Sequence, residues 1–120
     1  MTQHYVGTKI VMAWAQDKDG QLGYSVKYSD GYVSWCPKAQ FEEANVPLGH
    51  IGHLQPHQQR VVAECEQLAD RIAKLETFLA TPLFAGLPER EQQLLKMQAD
   101  AMVVYLGIIN TRVEGFGGAA

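Results

Sequence analysis

Three histidines lie close together in one short segment and are the first candidates for chemistry. His50, His53 and His57 are separated by two and by three residues, a spacing that resembles a metal site. A structural zinc ion needs four ligands, and no cysteine or acidic residue nearby completes the set. Pro56 also interrupts the segment, so one regular helix cannot align all three rings. We predict surface histidines and no bound metal, with a metal-dependent enzyme as a remote alternative.

The two cysteines offer little for nucleophilic catalysis. Cys36 precedes Pro37, where the start of a helix can activate a thiol, whereas Cys65 falls on the apolar side of a helix, where a buried thiol is normally inert. No general base is suggested near either cysteine by its position, and no glycine-rich phosphate loop follows a strand. The sequence therefore predicts a protein that is not an enzyme and that carries no cofactor.

Binding is better supported, because polar residues recur within an apolar row of the last helical segment. Gln98 and Arg112 are in register with an apolar row made of Leu94, Ala101, Tyr105 and Ile108. With Tyr105 or Phe84 as an aromatic face, the arginine and the amide suit a planar base attached to a phosphate. The alternative is that Arg112, in the last turn, extends to water and interacts with the helix dipole.

Two residues of the first half complete the predicted ligand site. Lys38 would neutralise phosphate together with Arg112, and Trp35 would stack on a base. Trp35, like Trp14 and Tyr32, is on general grounds more often part of a sheet core than a ligand platform. The predicted binding set is Arg112, Gln98, Tyr105, Phe84, Lys38 and Trp35, with no catalytic and no metal-binding residue.

Composition limits the classes of function that remain. The chain has 120 residues, of which 47% are hydrophobic, and a formal net charge of -3. Such a length fits one compact domain or two small modules, and the mild acidity argues against a nucleic acid polymer as partner. Two cysteines at unrelated positions make no disulfide framework, and no long apolar run indicates a signal peptide or a membrane partner. We expect a cytoplasmic protein.

The elements that must position these residues change character halfway along the chain. Alternation of apolar residues predicts strands near 6–16, 22–29 and 32–36, joined by turns at Asp19-Gly20 and Asp30-Gly31. Pro37 suits the first turn of a short helix. The fold class is α+β: a small antiparallel β-meander with a short helix, then an antiparallel two-helix hairpin. The predicted domains are 1–45 (meander), 46–56 (linker), 57–114 (hairpin) and 115–120 (flexible tail).

The hairpin is predicted from four-three spacing of apolar residues, with helices near 57–80 and 88–114. The seam of the first helix is Val61, Cys65, Leu68, Ile72, Leu75 and Leu79. The seam of the second helix is Leu95, Ala99, Met102, Leu106, Ile109 and Val113. Because one partner helix cannot also cover the second apolar row, that row must meet the sheet or a second subunit. A homodimer or higher oligomer is favoured, with a monomer covered by its own sheet as the alternative.

The first 45 residues resemble an N-terminal module of bacteriophage and prophage accessory proteins, with the pattern Y-x-G-T-K followed by D-G-Y-x-S-W-S-P-K-x-x-F-E. The matching residues are Tyr5, Gly7-Thr8-Lys9, Asp30-Gly31-Tyr32, Ser34-Trp35, Pro37-Lys38 and Phe41-Glu42. Cys36 departs from the pattern, which has serine there. A serine would cap the helix that Pro37 begins, so we expect cysteine to weaken that cap by about 1 kcal/mol.

The second half is similar to helical-hairpin regions of phage proteins, including a family first named from a crAss-like phage. The resemblance rests on Leu75, Phe78, Phe84, Leu87, Leu94-Leu95, Gln98, Met102, Tyr105, Ile109 and Arg112. A sheet followed by two helices also resembles the Thoeris anti-defence sponge. That resemblance implies a phage protein that sequesters a small anionic nucleotide signal, a cyclic ADP-ribose isomer or a cyclic oligonucleotide, in the infected cell. The alternative is a protein-protein interaction module of unknown partner.

Overall fold

The computed structural model describes residues 2–117 and confirms the predicted α+β class. The chain divides between Asn45 and Val46 into an N-terminal unit, which contains a sheet, and a helical C-terminal unit. Each unit is described by itself below.

The N-terminal unit is a three-stranded antiparallel meander followed by one short helix. Its strands are β1 (Met12–Ala15), β2 (Gly23–Lys27) and β3 (Val33–Pro37), in the sheet order β1-β2-β3, and its helix is α1 (Lys38–Ala44). The predicted start of the first strand near residue 6 is wrong. The ladder begins where Met12 pairs with Lys27, and the earlier Tyr5 and Val6 are 85% and 90% exposed. Alternation without a pairing strand does not make a sheet.

The turn between β1 and β2 follows from its residue types. Asp19 and Gly20 both have positive φ, 51° and 79°, between the paired Lys18 and Gln21. Two consecutive residues with positive φ form the tight turn that matches the twist of antiparallel strands. Aspartate tolerates this backbone region better than most residues, and glycine adopts it freely.

Helix α1 covers one face of the sheet. The ring of Phe41 stacks on Tyr24 with centroids 4.5 Å apart, and the Tyr24 hydroxyl donates a hydrogen bond to Glu42 at 2.7 Å. Next to this contact Val26 is buried. The Glu42 carboxylate raises the pKa of Tyr24 above 10, because it accepts the hydrogen bond and repels a phenolate, and burial adds to the shift.

The expected effect of Cys36 on a helix cap is wrong. The N-cap of α1 is Pro37, with ψ at 146°, and no side chain caps the helix. Cys36 lies one residue earlier, within β3, where it pairs with Tyr24. A serine at this position would lie outside the cap position, so the cysteine costs no capping hydrogen bond.

The C-terminal unit is a helical hairpin with a short helix at its corner. Its helices are α2 (Pro56–Leu79), α3 (Pro82–Ala85) and α4 (Glu89–Glu114). Gln55 and Gln58 form a reciprocal capping box at the start of α2. Helix α2 ends at Leu79 with Ala80 as its C-cap, and Thr81 caps α3, since its hydroxyl accepts a hydrogen bond from the Phe84 N–H. Short connections of this kind make the two long helices antiparallel neighbours.

The central cluster of the hairpin core consists of predicted seam residues, while Val62, outside the predicted seams, is also buried. Cys65, Leu68, Ile72 and Ile109 form the buried cluster, and Ile109 is 0% exposed. Four further seam residues pack against it: Val61, Met102, Leu106 and Val113. The predicted seams are therefore confirmed where the two helices meet.

The end of the chain is described only in part. Residues 118–120 of the predicted flexible tail lie outside the described residues. Before them, the Phe116 N–H donates to the Val113 carbonyl at 2.9 Å, and the Leu54 side chain lies near Gly117. Within residues 2–117, no helix has both the length and the apolar character needed to cross a bilayer.

Candidate functional site

Three of the predicted binding residues share one edge of α4. Gln98, Tyr105 and Arg112 are spaced by seven residues, so they fall on nearly the same side of the helix, about 10 Å apart per step. The Tyr105 hydroxyl donates a hydrogen bond to the carboxylate of Glu64 on α2. We call Glu64, Gln98, Tyr105 and Arg112 the polar edge of the hairpin.

The charged residues of the polar edge shift the pKa of the Tyr105 phenol. The Glu64 carboxylate raises the pKa of Tyr105 above 10, because it accepts the phenol proton in a hydrogen bond, and burial and charge repulsion act in the same direction. Arg112 acts in the opposite direction and lowers that pKa, but by less. The guanidinium is therefore within electrostatic range of the Tyr105 hydroxyl. Tyr105 is 42% exposed, so its ring remains accessible beside this pair.

Gln98 and Arg112 each carry more than one N–H donor. Within residues 2–117 the Gln98 amide donates to the Met102 sulfur at 3.7 Å, which is a weak acceptor. Both residues are exposed. An arginine offers five N–H donors in a planar fork and suits a phosphate or a carboxylate.

Sequence reasoning missed Glu64, because its partner lies 41 residues further along the chain. A signal was nevertheless present. His57, Glu64 and Arg71 have the same seven-residue spacing on α2 as the polar edge has on α4. In an antiparallel hairpin, such rows run beside each other along one side of the seam.

A second surface of α4 is apolar and exposed. It consists of Leu94, Met97, Ala101, Val104 and Ile108, which we call the apolar stripe. The exposed fractions of Met97 and Val104 are 62% and 66%. The predicted second row included Leu94, Ala101 and Ile108 but not these two residues. Their spacing of three and four makes the stripe a regular heptad pattern.

Phe84 is positioned as a packing residue. It is 6% exposed, and its ring contacts Phe78 edge to face with centroids 6.1 Å apart. The ammonium of Lys96 lies over the same ring at 5.8 Å. A stacking role for Phe84 stays a prediction, and it requires the corner around α3 to open.

Trp35 and Lys38 belong to the N-terminal unit. The Trp35 ring lies over Gly23, its indole N–H donates to the Gln16 carbonyl at 2.6 Å, and Lys18 lies 5.6 Å from the ring centroid. Lys38 is exposed at the start of α1 and lines a shallow depression together with Glu42 and Leu22. Their predicted roles toward a ligand stay predictions.

The residues first considered for metal or nucleophilic chemistry are not assembled into a site. Among residues 2–117 there is no group of three histidine, cysteine, aspartate or glutamate side chains that could hold a metal ion. The Cys65 thiol is buried and donates to the side-chain amide oxygen (Oδ1) of Asn110 at 3.0 Å. Burial raises the pKa of this thiol, and Glu66 and Glu64 raise it further, so the reactive thiolate is disfavoured.

Comparison with known proteins gives a match to the helical unit. A family model described as Sequestin matches residues 55–114, which is half of the chain. This range contains α2, α3 and α4 and the whole polar edge. Neither the curated proteins nor the solved structures give a significant match.

Proposed function

We propose that this chain, which belongs to the Sequestin family, binds and sequesters a small cyclic nucleotide immune signal without converting it. The signal would be a cyclic ADP-ribose isomer or a cyclic oligonucleotide. The protein would act as a phage anti-defence sponge in the cytoplasm of the infected bacterium, as a homodimer or higher oligomer. The family name itself implies sequestration of a ligand and favours binding over catalysis.

The observation that carries the proposal is the coincidence of the family match with the polar edge. The matched range ends at residue 114, just beyond Arg112, and contains all four residues of the edge. The edge combines a cation, an amide and an exposed aromatic ring, which are the groups that recognise phosphate, a base edge and a base face. None of these groups is paired with a general base in a way that would activate it for chemistry.

The residues of the edge have distinct roles in this proposal. Arg112 binds a phosphate, Gln98 donates to a base or a ribose, and Tyr105 presents its ring while Glu64 fixes the hydroxyl. Phe84 would add a second aromatic surface once the corner around α3 opens. Affinity then comes from groups that the hairpin holds in place before the ligand arrives.

A calorimetric titration tests the binding step. Purified protein is titrated with cyclic ADP-ribose, cyclic dinucleotides and cyclic trinucleotides, with linear AMP as the control ligand. We expect one cyclic class to bind and to raise the melting temperature. No binding and no melting shift across this panel would refute the proposal.

Two variants locate the binding site. Arg112→Ala should weaken binding roughly 10- to 150-fold, which is the usual range for a lost charged hydrogen bond. It should leave the helical circular dichroism unchanged, because Arg112 is exposed. Lys74→Ala is the matched control, since Lys74 is an exposed cation paired with Asp70 on α2, away from the edge. Equal loss in both variants would argue against a site at Arg112.

A recovery experiment tests sequestration against catalysis. After incubation with excess protein, the complex is denatured by heat and the released nucleotide is analysed by chromatography and mass spectrometry. We expect the intact ligand in stoichiometric amount. A converted product would show that the protein is an enzyme.

The second candidate function is a protein-protein interaction module, and the exposed apolar stripe of α4 is the observation that favours it. In that case the stripe docks a different protein, and the polar edge sets only the register. Such a protein would be monomeric when pure and would bind none of the nucleotides in the panel.

A further inference from the structure

We infer that the apolar stripe of α4 pairs with the same stripe of a second copy, in antiparallel orientation. This inference names the geometry of the proposed self-association, and its ligand-binding consequence rests on the function proposed above. The stripe has alternating spacings of three and four residues from Leu94 to Ile108, which is the pattern of a coiled-coil seam. The opposite seam of α4 is already occupied by α2.

Side-chain volume favours the antiparallel orientation. A two-fold axis beside residues 102 and 103 places Ala101, the smallest residue of the stripe, against a larger side chain, and extends the heptad pattern by one position to Thr111. The layers are Leu94 with the partner's Thr111, Met97 with the partner's Ile108, and Ala101 with the partner's Val104. In a parallel pair, each residue would face its own copy, so two alanines would meet between layers of larger side chains. The antiparallel helix dipoles add a small favourable contribution.

Charge complementarity fixes the same register. The residues that flank the stripe on the side of the polar edge are Glu91, Gln98, Tyr105 and Arg112, each seven residues from the next. In the antiparallel register, Glu91 faces the partner's Arg112 and Gln98 faces the partner's Tyr105. Because the two-fold axis repeats each pair, two ion pairs between Glu91 and the partner's Arg112 form, and no like charges meet. A parallel pair brings Arg112 beside the partner's Gly107 and forms no such ion pair.

The dimer would complete the ligand site. The polar edge lies between the seam that faces α2 and the apolar stripe, so pairing of the stripes brings the two polar edges together along one groove. Gln98 of one subunit and Tyr105 of the partner subunit would then line the same part of this groove. A carboxylate from Glu91 uses at most two of the five donors of the partner's Arg112 and orients the others toward a phosphate.

Neighbouring valines provide a matched test of the surface. Val103 and Val104 are both exposed, at 51% and 66%, but they point to different sides of α4. Size-exclusion chromatography with light scattering, without ligand, should show a dimer for the native chain and for Val103→Asp, and a monomer for Val104→Asp. A native monomer at 100 μM, or dissociation by Val103→Asp with an intact Val104→Asp dimer, would overturn the inference.

Cysteine cross-linking tests the orientation. In a Cys36→Ser background, Leu94→Cys and Thr111→Cys are oxidised separately and as an equal mixture. The antiparallel register predicts cross-linked dimer only in the mixture, because each position is about 26 Å from its own copy along the axis. Cross-linking of Leu94→Cys alone would show a parallel pair and refute the register. Because no nucleotide is present, this outcome is independent of the ligand titration.

A charge swap tests the ion pairs. Glu91→Arg and Arg112→Glu should each raise the dissociation constant of the dimer by roughly 2- to 30-fold. This range corresponds to the loss of two exposed ion pairs. The double variant Glu91→Arg/Arg112→Glu should restore it. Additive weakening in the double variant would show that these residues do not face each other across the dimer.

Discussion

Replacement of Ile109 by alanine tests the packing that holds the polar edge in place. Ile109 is 0% exposed and lies in the cluster of Cys65, Leu68 and Ile72, so the truncation leaves a cavity between two long helices. Such truncations cost about 2–5 kcal/mol, and a fully buried site between rigid helices should cost about 3 kcal/mol. A unit of this size has a total stability of only about 4–10 kcal/mol. The melting temperature should therefore fall by roughly 12–24 °C.

Ile108 provides the matched control for this measurement. It is the adjacent residue of the same helix and is 56% exposed. Both substitutions change the helix propensity by the same amount, so the difference between Ile109→Ala and Ile108→Ala isolates burial. The assay is urea denaturation followed by circular dichroism at 222 nm. Ile108 belongs to the apolar stripe, so its substitution can also affect self-association. The denaturation curves are therefore recorded at several protein concentrations, and only the concentration-independent loss of unfolding free energy is compared.

A small loss of stability in Ile109→Ala would contradict this packing. If Ile109→Ala costs less than about 1 kcal/mol, or no more than Ile108→Ala, the Ile109 side chain is not enclosed between α2 and α4. The placement of the polar edge would then be wrong as well, because the side of α4 that faces α2 determines which side carries Tyr105.

Three further predictions concern single positions. Gly23→Ala should disrupt the N-terminal sheet, since an added Cβ would lie 2.3 Å from the Trp35 ring; tryptophan fluorescence should shift to longer wavelength. Glu64→Gln should move the pKa of Tyr105 back toward 10 in an absorbance titration at 295 nm, with Tyr105→Phe as the blank. Because that pKa is raised by folding, the stabilising effect of the Glu64 contact is complete below pH 10 and is lost as the pH rises through the folded value. Gly107→Ala should stabilise the hairpin by up to about 1 kcal/mol in thermal denaturation, because an added Cβ there meets no atom within 4 Å.

The hairpin was predictable from sequence because its signal is repeated. Each seam residue of α4 follows the previous one by three or four positions, so an error at one position does not change the face. The first strand was not predictable to the same degree. Residues 6–11 alternate like a strand, but strand formation depends on a neighbour, and β2 ends opposite Met12.

The candidate site was predictable only on one helix. The seven-residue spacing of Gln98, Tyr105 and Arg112 is visible in the sequence, but their partner Glu64 depends on how two distant segments align. The burial of Phe84 was hidden for a similar reason. The ring lies in a short connection without periodicity, and its exposure depends on Phe78, which packs beside it at the corner.

The position of the polar edge also explains how an acidic protein can hold an anion. At 100° per residue, Tyr105 and Arg112 fall between the side of α4 that packs on α2 and the apolar stripe. If a second copy covers the stripe, a ligand on the polar edge is shielded from water on two sides, and the attraction of Arg112 is strengthened locally. The net charge of -3 is spread over a surface whose effect is screened within about 8 Å at physiological salt. Because one arginine in a shielded groove carries the attraction, we expect ligand affinity in calorimetric titrations to change little between 50 and 200 mM salt. A steep loss of affinity over that range would instead indicate an open, multi-cation surface.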